Sequence, residues 1–186
     1  MKRLLAMCLL LISLCGCKTS QSQMDQALIL RQNLLKSQGC SFSATISADY
    51  QDTLYTFALK CEGDQNGQIK FSVLQPEPIS GITGTVSAKG GKLTFDDKVL
   101  AFPLLVDGLL SPVSSPWIFL QSLRSGYIKS CGDDGDGMII TINDTYASES
   151  ICVDIYTDSN SLPKHVDIFW QGRRILSMDI TDFVYV

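Results

Sequence analysis

Cys40-Ser41-Phe42-Ser43-Ala44-Thr45-Ile46-Ser47-Ala48-Asp49 is the stretch on which the fold turns. Its even-numbered residues are apolar and its odd-numbered residues are polar. Side chains of a strand alternate between two faces, so this period of two marks a strand with one dry face, whereas a helix would repeat its apolar residues at three and four. The pattern returns in Tyr55, Phe57, Leu59 and Cys61, and again in Ile69, Phe71 and Val73, with polar turns at residues 49–52 and 62–66 between the runs. Three such segments in succession predict an antiparallel meander with one solvated side.

Downstream, Pro76-Glu77-Pro78 interrupts the ladder, since proline has no N–H to donate. A glycine-containing strand over residues 82–88 leads through Gly90-Gly91, read as a turn, into residues 92–96. Glycines there predict sheet curvature or close backbone approach. Residues 99–124 are different: Leu104, Leu105 and Leu109 precede a proline-rich stretch, and Pro116 opens a short helix carrying Trp117, Ile118, Leu120 and Leu123. So apolar a connection is expected to fill or lid a concave sheet. Alternation then resumes at residues 127–131, 138–142 and 151–157, and in Val166, Ile168 and Trp170 opposite Leu176, Met178 and Ile180.

Upstream, Ala27, Leu28, Leu30, Leu34 and Leu35 predict a helix over residues 24–37, stopped by Gly39, with residues 18–23 as a polar tether. Lys2 and Arg3 precede an apolar run over residues 4–14, broken only by Ser13, which is too short to span a bilayer and reads as a signal peptide. Leu14-Cys15-Gly16-Cys17 resembles the lipobox of bacterial lipoproteins. That resemblance implies a diacylglycerol on Cys17 and cleavage just before it. Residues 1–16 are then the signal peptide, 17–23 a lipidated tether and 24–186 a single domain. The expected location is the extracytoplasmic face of the cell membrane, or the outer membrane in a Gram-negative source. Attachment would come from two or three acyl chains, since one binds only marginally.

The chain of 186 residues carries 15 basic and 19 acidic side chains, and removal of Lys2 and Arg3 takes the formal charge from -4 to -6. That sign repels phosphate backbones and excludes nucleic acid as a partner. Of seven cysteines, Cys40, Cys61, Cys131 and Cys152 remain in the mature domain, enough for two disulfides. If residues 49–52 close the first hairpin, Ile46 faces Tyr55, Ala44 faces Phe57, Phe42 faces Leu59 and Cys40 faces Cys61. This register favours a Cys40–Cys61 bridge, with Cys131 and Cys152 as the remaining pair; all four thiols staying reduced is the alternative.

A helix, a meander, an apolar insertion with a short helix and a second meander resemble the LolA/LolB superfamily, with its RseB-like and clostridial germination lipoprotein-like members. The local pieces are Phe71-Ser72-Val73 running into Pro76-Glu77-Pro78, and the terminal hairpin from Pro163-Lys164-His165-Val166-Asp167-Ile168 through Gly172. The resemblance implies a mainly β (α+β) fold, an incomplete antiparallel β-barrel of roughly nine to eleven strands whose concave face is covered by the N-terminal and inserted helices. It implies a cavity for an acyl chain, lipid or lipoprotein, with Phe42, Phe57, Phe71, Leu104, Leu105, Leu109, Trp117 and Leu120 as cavity and lid candidates. The alternative is a non-enzymatic envelope scaffold or sensor with a filled core, binding a protein partner through an acidic surface that includes Glu77, Asp96, Asp97, Asp133, Asp134 and Asp136.

Catalytic motifs are sparse. His165, the one histidine, shares a strand face with Asp167 and reads as an exposed strand residue rather than a triad member. Asp133-Asp134-Gly135-Asp136-Gly137 offers clustered carboxylates but no distal glutamate, and reads as a solvated hairpin turn rather than a calcium loop. No catalytic residue, metal ligand or cofactor is assigned, and no enzyme activity is expected.

Overall fold

The computed structural model describes residues 17–50, 53–103, 105–106, 109–144 and 151–186. The signal-peptide reading of residues 1–16 and the lid assignment of Leu104 fall outside them, as do the side chains of Cys17, Leu105 and Leu109.

Helix α1 (Cys17–Lys36) leads into β1 (Gly39–Tyr50), β2 (Thr53–Asp64), β3 (Ile69–Gln75), β4 (Thr83–Ser87), β5 (Gly90–Phe95) and β6 (Lys98–Phe102). A small hairpin, β7 (Leu105–Val106) and β8 (Leu109–Leu110), precedes helix α2 (Ser115–Ser125). The chain closes with β9 (Tyr127–Asp133), β10 (Met138–Asn143), β11 (Cys152–Thr157), β12 (Pro163–Trp170) and β13 (Arg173–Tyr185). Eleven of these strands form one sheet, ordered β6-β5-β4-β3-β2-β1-β13-β12-β11-β10-β9. Two meanders therefore meet where β13 returns antiparallel alongside β1. The sheet does not close, because β6 and β9 end it, and the result is the expected open half-barrel.

The period of two sets the core. Cys40, Phe42, Ala44, Ile46 and Ala48 are all buried, as are Ile69, Phe71 and Val73, while their polar neighbours line the outer face. From β9 onward the same alternation buries Ile140, Ile142, Val153, Ile155, Val166, Ile168, Leu176 and Met178.

Four expectations are corrected. The β1–β2 register is displaced by two residues: Phe42 faces Cys61, Ala44 faces Leu59, Ile46 faces Phe57 and Cys40 faces Gly63. A displacement of two exchanges partners yet keeps every side chain on its face, so the inward set survives while the pairing changes. The tether is helical, since α1 begins at Cys17 rather than at Met24. Gly90 and Gly91 belong to β5 rather than to a turn. Residues 99–102 lie in edge strand β6, so the inserted cover begins only after them.

Gly84 and Gly91 explain how the β3–β6 half packs. A Cβ on Gly84 would run into the ring of Phe71, and one on Gly91 into the ring of Phe102. Each ring belongs to the residue directly opposite in the register. Missing side chains on the concave face thus let aromatic neighbours lie against the backbone.

Candidate functional site

Among the described residues, the concave face has a filled centre and an end where large apolar side chains are exposed. Pro116 sits in the first turn of α2, where its missing N–H costs nothing. The helix then turns Ile118, Phe119, Leu120 and Leu123 into the core. Phe119 is 0% exposed. Its ring stands edge-on to Phe42 at 6.0 Å and to Phe183 at 6.5 Å, while Phe42 and Phe183 stack at 5.7 Å. Three rings from β1, α2 and β13 thereby occupy the middle of the concavity.

Polar ties hold α2 there. Arg31 of α1 donates from Nε to the Leu123 carbonyl at 2.6 Å and from Nη2 to the Gly126 carbonyl at 2.7 Å, satisfying acceptors at the helix C-terminus. Arg124 donates to the carbonyls of Asp64 and Gln65 at 2.7 and 3.0 Å, and the Trp117 indole N–H donates to the Gly67 carbonyl at 2.9 Å. All three acceptors belong to the end of β2 and the β2–β3 turn. The helix is fastened at both ends.

Of the cavity and lid candidates, Phe42, Phe71 and Leu120 are buried and Trp117 and Phe57 half-buried. Beyond α2, the sheet is less covered. Tyr55 is 47% exposed, Phe95 51% and Leu100 64%. All three lie on the concave face: Leu100 opposes Leu93, which opposes Gly84, and Phe95 is two residues beyond Leu93. Phe57 stacks on Tyr55 at 6.5 Å. Phe95 and Leu100 were not among the candidates because residues 99–102 read as the start of the apolar cover, which hid that Leu100 lies in an edge strand opposite Leu93 and on the same face as Phe95. Phe183 was absent from the candidates because its role depends on β13 lying beside β1.

The four cysteines of the domain are free thiols. Cys40 opposes Gly63, which leaves Cys61 a diagonal neighbour, and diagonal residues are separated by about 7–8 Å, beyond the ordinary Cα separation of a disulfide. Cys131 and Cys152 lie on β9 and β11 with β10 between them, so two strand spacings part them. Burial pushes the Cys40 thiol up to about 11. Burial and the neighbouring Cys40 push Cys61 up as well.

His165 is tied into a network on the outer face rather than left as a plain exposed residue. Its Nδ1 lies 2.6 Å from Asp179 Oδ1, and its Nε2 lies 3.3 Å from both Ser177 Oγ and Asp167 Oδ1. Arg174 Nη1 stands 3.3 Å from the same Asp167 oxygen. Nε2 is thus shared between a hydroxyl and a carboxylate rather than directed at Ser177 alone. In the acidic turn, Asp133 Oδ1 accepts from the Gly135 N–H at 2.7 Å and Asp134 pairs with Lys164 at 3.0 Å. Among the described residues no group of carboxylates, thiols or imidazoles is placed to hold a metal ion, and no helix is long and apolar enough to cross a membrane.

No protein-family model matches the chain, and no curated protein matches it in sequence. By shape it is similar to a putative outer membrane lipoprotein-sorting protein domain from Vibrio parahaemolyticus, at 9% identity over 89% of this chain and 92% of that one, with a TM-score of 0.49. It is also similar to the LolA superfamily protein NE2245 from Nitrosomonas europaea, at 10% identity over 90% and 94% of the two chains, with a TM-score of 0.45. A third likeness is to the complex of the CwlD amidase with the GerS lipoprotein from Clostridioides difficile, at 11% identity over 88% and 96%, with a TM-score of 0.43.

Proposed function

We propose that this chain is a lipid-anchored extracytoplasmic binding module that receives an apolar ligand, the acyl chain of a lipid or lipoprotein, on the exposed apolar end of its concave face. The observation that carries the reading is the exposure of Tyr55, Phe95 and Leu100 on the inward side of the sheet, Tyr55 stacked on half-buried Phe57 of β2 and Leu100 opposite half-buried Leu93 of β5. Large apolar side chains grouped on one side of a surface mark an interaction site. Each methylene withdrawn from water there contributes about 0.8 kcal/mol, so burial alone can hold such a ligand without catalytic residues. On this reading the site is an open shelf rather than an enclosed cavity, with Leu104, Leu105 and Leu109 as its proposed cover. The anchor reading rests on Leu14-Cys15-Gly16-Cys17.

A second reading, an envelope scaffold or sensor that binds a protein partner, is favoured by the ring cluster around Phe119. One experiment separates the two. The full chain carrying Cys17→Ser is titrated with a fluorescent fatty acid, and Leu100→Glu and Phe95→Glu are compared with it. Both positions are exposed, so each variant should keep its unfolding midpoint while losing uptake. Undiminished uptake in both variants would remove the shelf; no uptake by the parent would leave the scaffold reading.

A further inference from the structure

The outer face of the β2–β6 half carries a groove of about 480 Å³ opposite the core. Its construction follows from the register. Lys60 opposes Ser72, which opposes Thr83, which opposes Thr94; Glu62 opposes Lys70, which opposes Thr85, which opposes Lys92. Short hydroxyl side chains on β3 and β4 therefore form the floor. Lys60, Glu62 and Lys70 rise along one flank, and Lys92 along the other. Lys70 and Lys92 stand two strand spacings apart, about 10 Å between backbones, so both ammonium groups can reach one anion between them.

The charge balance here runs against that of the chain. The whole sequence has a formal charge of -4, yet the groove holds three lysines against one glutamate. Among the described residues the ion-paired lysines and arginines are Lys164, Arg173 and Arg174, all on β12 and β13. The lysines of the groove keep their ammonium groups available.

We infer that this groove is a binding site for a phosphate group attached to a hydroxylated carbon skeleton, such as a glycerol phosphate. Lysine is a point-charge binder of phosphate, and Lys70 and Lys92 stand on either side of Thr85, so a tetrahedral anion with several oxygens can accept from both ammonium groups at once. Ser72, Thr83, Thr85 and Thr94 supply hydroxyl donors and acceptors, and Glu62 accepts from a ligand hydroxyl while repelling a second anionic group beside it. The volume is within the range of small-molecule pockets. The site lies on the opposite face from the apolar shelf and does not depend on it. Such a phosphate can come from a soluble polyol phosphate or from a phosphatidylglycerol headgroup.

Lysine acetylation footprinting of the full chain in phosphatidylcholine nanodiscs tests the assignment. Protection of Lys60, Lys70 and Lys92 on addition of glycerol 3-phosphate, with Lys36 and Lys129 unchanged, is the result expected for a soluble source. Protection only when phosphatidylglycerol is included in the nanodisc identifies the lipid headgroup. Lys70→Gln and Lys92→Gln, both exposed and so without effect on folding, should each weaken the apparent affinity about fivefold. No selective protection in either arm, or affinity unchanged in the variant carrying both substitutions, overturns the site.

Discussion

Replacing Phe119 by alanine tests whether the concave face is filled. A ring at 0% exposure has no route to solvent, and its removal leaves a void lined by Phe42 and Phe183, whose own positions are held by β1 and β13. Buried Phe→Ala substitutions cost about 3–5 kcal/mol, and two edge-on ring contacts each add about 0.5–1.5 kcal/mol beyond area burial, which places this variant near the upper end. For a domain of this size that corresponds to a fall of about 10–15 °C in the unfolding midpoint. Urea unfolding followed by circular dichroism measures the cost. A double-mutant cycle with Phe42→Ala should return a coupling of about 1 kcal/mol. A loss below about 1 kcal/mol with no coupling would mean that α2 is a detachable cover over empty space, and the filled centre would be refuted.

Gly91→Ala should cost about 1–3 kcal/mol because its Cβ needs the space of the Phe102 ring, and Phe102→Ala in the same chain should recover part of that loss in thermal unfolding. Arg31→Ala should destabilise by about 2 kcal/mol in urea unfolding, since the Leu123 and Gly126 carbonyls lose their donor, and Arg31→Lys should restore only part because an ammonium cannot fork to both. The buried Cys40 thiol is neutral in the folded state up to about 11, whereas an unfolded thiol ionises near about 8.5. Its contribution is therefore fully present below the unfolded value and is lost as the pH rises through the folded one, so unfolding free energy should fall between those limits and Cys40→Ala should flatten the fall. A slope unchanged by that substitution would separate the thiol from the alkaline instability.

Local order in the chain determined much of the architecture. The period of two in Cys40 to Ala48 named the buried set of β1 before any partner strand was known, because which face a strand residue takes depends only on its parity. Pro116 and the apolar spacing after it likewise announced α2, and Gly84 announced a curved or closely approached sheet at the fourth strand, whereas Gly91 read as a turn and its contact with Phe102 needed the fifth and sixth strands to pair. The candidate site was less readable. Parity says nothing about register, and a displacement of two residues put Gly63 rather than Cys61 across from Cys40 while leaving every face as expected. Whether residues 99–102 join a sheet edge or a cover depends on a partner strand rather than on their composition. Tertiary structure alone brought Phe183 beside Phe42 and Phe119, left Phe95 and Leu100 beyond the reach of α2, and ranged three lysines from three strands along one outer groove. Those outcomes are distances between segments far apart in sequence, and such distances are set by which strands pair and where the inserted helix docks.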